Sequence, residues 1–165
     1  MKFSTALSAL LLGSLAFPVS ASFAQVARPF SANFTIDETL DEGTGANCIK
    51  IGVISGQGNA SHLGRTAISG TNCVTPPTSA AVPVFTFKDG SIILMAANGD
   101  TLNGTFSGSF VPTSTPNVFT VVDGMYSFNR GTGRFAAATG SGKLSGTQNI
   151  ATGKGQLQAN GTLSY

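Results

Sequence analysis

The sequence predicts an all-β fold, a single antiparallel β-barrel of about eight strands in meander order, with a β-sandwich as the alternative. Apolar and polar residues alternate with a period of two, most clearly in Thr101–Phe110, where Leu, Gly, Phe, Gly and Phe share one face. Strand patterns follow one another at short intervals with hairpin-type turns, and after the N-terminal segment no stretch has the spacing of a crossover helix. The chain contains 21 glycines, and those in its later strands favour the barrel because glycine eases the bending of strands.

The N-terminal segment has the features of a secretory signal peptide. Lys2 gives it a positive start, and Leu7–Phe17 is an apolar stretch too short to span a bilayer. Small residues precede the expected cleavage position, and a second candidate position follows Ala21. We therefore expect a signal peptide over residues 1-24 and one β-barrel domain over residues 25-165, with the protein secreted or periplasmic after cleavage.

The alternation of apolar and polar residues predicts the strands in chain order. The predicted strand segments are Phe30–Ile36, Ile49–Ile54, Gly58–Ser69, Val84–Phe87, Ile92–Ala97, Thr101–Phe110, Val118–Val122, Met125–Phe128, Arg134–Ser145 and Gly155–Tyr165. The second and third segments are expected to form one bent pairing around Gly56-Gln57-Gly58. The two segments that flank Asp123-Gly124 are expected to form one strand with a kink at that point.

The connections between these segments carry loop and turn signals. The acidic stretch Asp37–Gly45 is predicted to be a loop, and Thr71–Pro83, with its three prolines, is predicted to be an irregular connection. Asp89-Gly90 and Asn98-Gly99 are hairpin signals. Gly131-Thr132-Gly133 is predicted to be a turn and not a phosphate-binding loop, because no helix and no lysine-hydroxyl ending follows it.

Composition disfavours several kinds of partner. Without Lys2, eight Lys and Arg residues stand against seven Asp and Glu, a net charge of +1, so nucleic acid is not expected as a partner. Membrane insertion is also disfavoured, because the chain has no Trp and only two Tyr for interfacial girdles. No cofactor and no metal are expected. The compact acidic group Asp37, Glu38, Asp41 and Glu42 lacks the spacing of a calcium-binding loop and is predicted to be solvated.

Cys48 and Cys73 are the two cysteines of the chain. In an oxidising compartment such a pair predicts a disulfide, here closing a loop of about 26 residues and stabilising by about 3–4 kcal/mol in the chain-entropy model. Two free thiols or a metal site are the alternatives. The single histidine, His62, and the lack of a Cys-x-x-Cys spacing make a poor zinc set.

Glycine-containing motifs recur in Gly58–Arg65, in Ala97–Leu102 and in Gly131–Gly142, which is followed by Leu144, Gly146 and a closing Gly161–Tyr165. Together they resemble small secreted bacterial proteins of unassigned function. More distantly, the Gly-Thr-Gly-Arg-Phe-Ala stretch that begins at Gly131 is similar to a segment in the barrels of plant dirigent proteins and allene oxide cyclases. The resemblance implies a calycin-like antiparallel barrel with an apolar interior. It implies no catalytic residue, since the active-site positions of the plant enzymes have no match in this sequence.

The candidate ligand-binding residues combine polar groups and aromatic rings: His62, Arg65, Phe106, Phe110, Tyr126 and Arg134, with Phe85, Phe87 and Val122 as further lining. His62 is predicted to lie in a strand, on one face with Ala60, Gly64, Thr66 and Ile68. It is either a polar group aimed into a cavity or a buried histidine that fixes strand register. Arg65 and Arg134 are expected to form structural ion pairs with Asp100 or Asp123. Closing off a barrel end and binding a ligand carboxylate are the alternatives.

Three functions fit these features. The first is a binding module for a small apolar or amphipathic ligand, favoured because inward glycines are expected to leave space inside the barrel. The second is a structural or interaction protein of the envelope or extracellular space, with a filled core. The third is a cyclase-like enzyme that confines a reactive substrate.

Overall fold

The computed structural model describes residues 26–165, and the signal peptide expected over residues 1–24 lies outside the described residues. The described chain forms eight β-strands and one short 3₁₀ turn, Gly133–Phe135. The strands are β1 Arg28–Gly45, β2 Cys48–Ala60, β3 Gly64–Val74, β4 Phe85–Ala96, β5 Thr101–Pro112, β6 Val118–Gly131, β7 Thr139–Asn149 and β8 Lys154–Ser164.

The eight strands close into one antiparallel meander barrel. Each strand pairs with the next in the chain, and β8 pairs with β1 in a register that places Arg28 opposite Leu163 and Asp37 opposite Lys154. The predicted barrel is therefore confirmed, and the sandwich alternative is wrong. We call the end that holds the β2–β3, β4–β5 and β6–β7 connections the base, and the end that holds the other four connections the mouth.

The acidic stretch Asp37–Gly45 continues β1 and is not a loop. It remains a strand because β2 extends alongside it, with Leu40 opposite Gly52 and Glu42 opposite Lys50. Charged side chains are compatible with this segment because they alternate between the two faces of the strand. The predicted loop is therefore wrong, whereas Asp37, Asp41 and Glu42 are exposed as expected and Glu38 is partly buried.

The bend predicted at Gly56-Gln57-Gly58 is also wrong. β2 runs without interruption to Ala60, and the chain reverses at residues 61–63 before β3 begins at Gly64. His62 lies in this reversal with a φ of 68°, a left-handed conformation that is uncommon outside glycine. It therefore does not share a strand face with Thr66 and Ile68.

Two Asp-Gly pairs produce bulges inside strands. Asp89, with a φ of 53°, lies within β4, where the register with β5 shifts between Phe87 and Gly90. The hairpin predicted there is wrong. The Asp-Gly pair is an ambiguous signal, because a bulge and a tight hairpin turn both favour a residue with positive φ. Asp123, with a φ of 51°, forms the predicted kink within β6. Asn98-Gly99 forms the predicted turn between β4 and β5.

The base is closed by the segment between β6 and β7. The sequence predicts a strand from Arg134, but the chain makes a 3₁₀ turn over Gly133–Phe135 and β7 starts only at Thr139. The side chains of Phe135 and Ala138 are fully buried. Burial of these apolar groups against the core overrides the local strand pattern.

Aromatic rings fill the barrel interior, and glycines on neighbouring strands make room for them. A Cβ atom at Gly90 would collide with the ring of Phe106, and one at Gly108 would collide with the ring of Phe87. Likewise, a Cβ atom at Gly58 would collide with the ring of Phe34, and one at Gly104 would collide with the ring of Phe128. The inward glycines therefore accommodate the protein's own rings, as close packing requires, and the interior is not hollow.

Candidate functional site

A cavity of about 120 Å³ opens at the mouth of the barrel. Its lining residues come from the ends of β1 to β5 and β7 and from the β7–β8 connection: Glu38, Leu40, Ile49, Lys50, Val74, Phe85, Phe110, Gln148, Ile150 and Gly153. Most of these side chains are aliphatic or aromatic, and the polar ones are few. This is the usual composition of small-molecule sites.

The rim of the cavity exposes large apolar side chains. Leu40 is 52% exposed, Ile49 37% and Ile150 43%. The rim forms because the barrel wall extends beyond the packed core. β1 continues to Gly45, and its alternation places Leu40 on the inner face of this extension. Apolar groups gathered around a concavity are a feature of interaction sites.

A carboxylate held by two amides lies at the floor of the cavity. Asn72 Nδ2 donates to Glu38 Oε1 at 3.0 Å, and Gln148 Nε2 donates to Glu38 Oε2 at 2.6 Å. Asn72 and Gln148 are buried, at 3% and 5% exposure, while Glu38 is partly buried. Gly52 provides the space for this cluster, because a Cβ atom there would overlap Glu38 Oε1 and lie 2.6 Å from Asn72 Nδ2.

The backbone of Glu38 is also fixed. Its N–H donates to the carbonyl oxygen of Gly153 at 2.9 Å. Gly153 adopts a φ of 73°, and a Cβ atom there would overlap the Glu38 carbonyl oxygen. The β7–β8 turn can therefore approach β1 closely only with glycine at this position.

The second charged group of the cavity, Lys50, is paired at the rim. Its Nζ lies 2.7 Å from Glu42 Oε1. The hydrogen bond from Lys50, together with its positive charge, holds the pKa of Glu42 below the ordinary value for glutamate. Both side chains are solvent-exposed, so the pair adds little stability.

The disulfide predicted between Cys48 and Cys73 is confirmed, with a Cα–Cα distance of 5.3 Å. It joins the first residue of β2 to the end of β3, directly beside the cavity residues Ile49 and Val74. The covalent link therefore fixes two strands that form the mouth.

The predicted aromatic lining divides into a cavity part and a core part. Phe85 and Phe110 line the cavity. Phe87 and Phe106 lie deeper and are buried, and the ring of Phe87 packs 4.9 Å from that of Phe110. Val122 is predicted to be part of the lining, but its side chain is 39% exposed. It faces outward by alternation with the buried Val121, and the bulge at Asp123 moves the inner face to even-numbered residues only beyond that point.

Tyr126 lies in the core, away from the mouth cavity. Its ring packs against Phe30 and Phe128 at centroid distances of 5.8 and 5.0 Å. Its hydroxyl is buried against the backbone of Gly142 and Gly161 and has no hydrogen-bond partner within residues 26–165. Burial raises the pKa of Tyr126 to about 12.

His62 and Arg134 lie at the base, at the opposite end of the barrel from the cavity. His62 Nε2 is 2.9 Å from the carbonyl oxygen of Pro29, and His62 Nδ1 is 3.3 Å from the Tyr165 hydroxyl. The Arg134 guanidinium donates to the His62 carbonyl oxygen and lies over the ring of Phe135. These contacts join the β2–β3 turn to the start of β1 and the end of β8.

The ion pairs expected of Arg65 and Arg134 are wrong. Within residues 26–165 the salt bridges are Lys50–Glu42 and Lys154–Asp37. Arg65 instead approaches Gln57 Oε1, at 3.5 Å on the outer surface. The structure therefore does not bring His62, Arg65 and Arg134 together with Phe110 in one site.

Sequence reasoning missed Glu38, Asn72 and Gln148 because each looked like an ordinary surface residue. One signal was available for Glu38. The period of two that starts at Phe30 continues through Ile36, and extending it by one step places Glu38 on the inner face. The positions of Asn72 and Gln148 depend on barrel closure, which alternation alone does not specify.

Comparison with models of protein families, with curated proteins and with solved structures gives no match for this chain. Among residues 26–165, no helix has the length and apolar character needed to cross a bilayer. Across the same residues, no three His, Cys, Asp or Glu side chains are grouped closely enough to hold a metal ion.

Proposed function

We propose that this protein binds a small apolar or amphipathic molecule in the cavity at the mouth of the barrel. The observation that carries the proposal is the exposed apolar rim of Leu40, Ile49 and Ile150 around a concavity with a polar floor. Exposure of such side chains to water is unfavourable. A ligand that covers them recovers part of the hydrophobic free energy.

The size of the cavity limits what it can enclose. Engineered apolar cavities of about 150 Å³ bind benzene, and the mouth cavity measures about 120 Å³. It therefore accommodates one small ring or a short branched chain. A larger ligand would insert one end between Phe85 and Phe110 and extend past the rim into solvent.

Export is part of this proposal. A disulfide such as Cys48–Cys73 persists in oxidising compartments, which supports a periplasmic or extracellular location. The glycine-containing motifs that resemble small secreted bacterial proteins support the same location. The resemblance to allene oxide cyclases and dirigent proteins adds support for an apolar ligand. It does not identify a catalytic residue in this chain.

The second candidate function is a structural or interaction protein. The filled interior and the exposed side chains of Ile93 and Met95 on the outer face of β4 favour it. This candidate predicts contacts through the outer wall of the barrel, whereas ligand binding predicts contacts through the mouth. The position of the contacts, at the mouth or on the outer wall, therefore distinguishes the two functions.

Titration with toluene, followed by NMR of isotope-labelled isoleucine methyl groups, tests the proposed function. We expect saturable shifts at Ile49 and Ile150 and no saturable shift at Ile93. Ile150 and Ile93 make a matched pair, since they are 43% and 42% exposed. Ile150→Thr is therefore expected to weaken toluene binding several-fold, by removing apolar contact area, while Ile93→Thr leaves it unchanged.

The outcomes separate the candidates. Saturable shifts confined to the mouth support ligand binding there. Shifts that grow linearly at all exposed isoleucines, with equal behaviour of the two variants, would reject the proposal and favour the interaction protein.

A further inference from the structure

We infer that the natural ligand carries a protonated amine, which the Glu38 carboxylate binds at the floor of the mouth cavity. This inference rests on the proposed function and specifies the class of ligand: an apolar group, such as a ring or short chain, that ends in an organic ammonium.

The carboxylate of Glu38 has unused capacity as an acceptor. An ionised carboxylate can accept about four hydrogen bonds, and Glu38 accepts one from Asn72 and one from Gln148. Both donors are neutral amides, so they orient the carboxylate but leave its charge uncompensated. A second acceptor in the same cluster, Asn72 Oδ1, is buried and has no hydrogen-bond partner in the described part of the chain.

Three of the four N–H groups on the two amides are directed at acceptors of the protein. Gln148 Nε2 donates to Glu38 and also lies 3.4 Å from the carbonyl oxygen of Gly153. Asn72 Nδ2 donates to Glu38. The floor therefore has a surplus of acceptors, and a ligand that brings N–H donors complements it.

No cation of the described chain neutralises Glu38. Within residues 26–165, the two salt bridges pair Lys50 with Glu42 and Lys154 with Asp37. Among the described residues, Lys50 is the one basic residue that lines the cavity. Because Lys50 pairs with Glu42 at the rim, the carboxylate of Glu38 has no salt-bridge partner among residues 26–165. An organic ammonium supplies both the missing charge and a charge-assisted hydrogen bond.

The placement of apolar and charged groups matches such a ligand. Phe85, Phe110 and Ile150 surround the space above the floor, while the Glu38 carboxylate lies at its inner end. A ring held between the aromatic side chains can direct a one-carbon ammonium arm toward Glu38. The apolar part supplies contact area, and the head group supplies selectivity.

A set of three probes with the same ring tests the inference on the unmodified chain. Benzylamine, benzyl alcohol and benzoate are titrated at pH 7 and equal ionic strength, and the methyl shifts of Ile49 and Ile150 report binding. We expect benzylamine to bind about tenfold more tightly than benzyl alcohol, since it forms a charged hydrogen bond. Benzoate is expected to bind most weakly.

Two variants assign the selectivity to Glu38. Glu38→Gln is expected to abolish the preference for the amine over the alcohol while toluene binding persists. Asp37→Asn is the matched control. It removes the same charge from the adjacent residue of β1, whose carboxylate pairs with Lys154 instead of lining the cavity, and we expect it to keep the preference.

Each outcome has a distinct meaning. If the amine and the alcohol bind equally to the unmodified chain while toluene binds at the mouth, the inference is wrong and the proposed function stands. If benzoate binds most tightly, Lys50 is the group that selects the ligand, and the inference is wrong. If none of the probes, including toluene, binds at the mouth, the proposed function is wrong. Loss of selectivity in Asp37→Asn would also contradict the role given to Glu38.

Discussion

The side-chain amide of Gln148 donates a 2.6 Å hydrogen bond to the carboxylate of Glu38, although 110 residues separate them in the chain. β7 and β1 are not neighbours in the barrel, because β8 lies between them. The bond therefore runs across the inner surface of the mouth. The arrangement of the cavity floor therefore depends on barrel closure as well as on local sequence.

Gly52→Ala is expected to disturb this floor without unfolding the barrel. The new Cβ atom would overlap Glu38 Oε1, and this oxygen terminates a flexible side chain that can move away. Movement would break the bond from Asn72 and cost about 1–2 kcal/mol of unfolding free energy. Urea denaturation measures this loss, and the benzylamine titration should show a weaker preference over benzyl alcohol.

Ser55→Ala, at an exposed position of the same strand, is the control for Gly52→Ala. It should change neither the unfolding free energy nor the selectivity. An unchanged preference for the amine in Gly52→Ala would contradict the arrangement described for the floor.

Tyr126 is predicted to make the fold sensitive to alkaline pH. Its pKa is about 12 in the folded protein and about 10 in an unfolded chain. Between these values the unfolded state loses its proton first, so the free energy of unfolding falls as pH rises above 10. The loss attributable to Tyr126 is about 1.4 kcal/mol at pH 11.

Tyr126→Phe isolates this contribution. The variant removes a buried hydroxyl that has no hydrogen-bond partner, so its stability at pH 7 should equal or exceed that of the parent by up to about 1 kcal/mol. The difference between variant and parent should widen between pH 9 and pH 11 in urea denaturation. Equal pH profiles for the two proteins would show that the tyrosine is not desolvated.

Reduction of the Cys48–Cys73 disulfide is expected to destabilise the protein and loosen the cavity. The two cysteines are 25 positions apart, and opening a loop of this length costs about 3–4 kcal/mol in the chain-entropy model. The measurement is urea denaturation with and without reductant, combined with toluene titration of the reduced form. We expect weaker toluene binding, because the linked residues adjoin Ile49 and Val74. Unchanged affinity after complete reduction would contradict this role at the mouth.

His62→Ala should affect stability alone. The substitution removes the ring contacts with Pro29 and Tyr165 and should cost about 1–2 kcal/mol of unfolding free energy. His62 lies at the base, whereas the cavity lies at the mouth, so the toluene dissociation constant should not change. A loss of affinity with intact stability would instead place His62 in a ligand site.

The sequence predicts the barrel well because strand alternation is a local property. The inner faces of β5 and β8 can be assigned residue by residue from their period of two. The connections between strands are harder to predict. The Asp-Gly pair at Asp89 is compatible with both a hairpin turn and a bulge, and only the pairing with β3 and β5 selects the bulge. Glycine gives a similar ambiguity: Gly108 indicates interior space, but the ring of Phe87 on the neighbouring strand occupies it.

The site is less predictable than the fold, for a physical reason. Phe85 and Phe110 could be proposed from their apolar faces alone. Glu38 and Gln148 meet at the floor of the cavity because the barrel closes and β1 extends past the packed core. Long-range pairing therefore determines the polar part of the site, and local propensity does not.

The most direct test of the whole account is a crystal structure of the protein with benzylamine bound. We expect the ring to lie between Phe85, Phe110 and Ile150, with the amine nitrogen about 3 Å from a carboxylate oxygen of Glu38. Benzylamine bound on the outer wall beside Ile93, or at the base beside His62, with the mouth free of ligand, would contradict it.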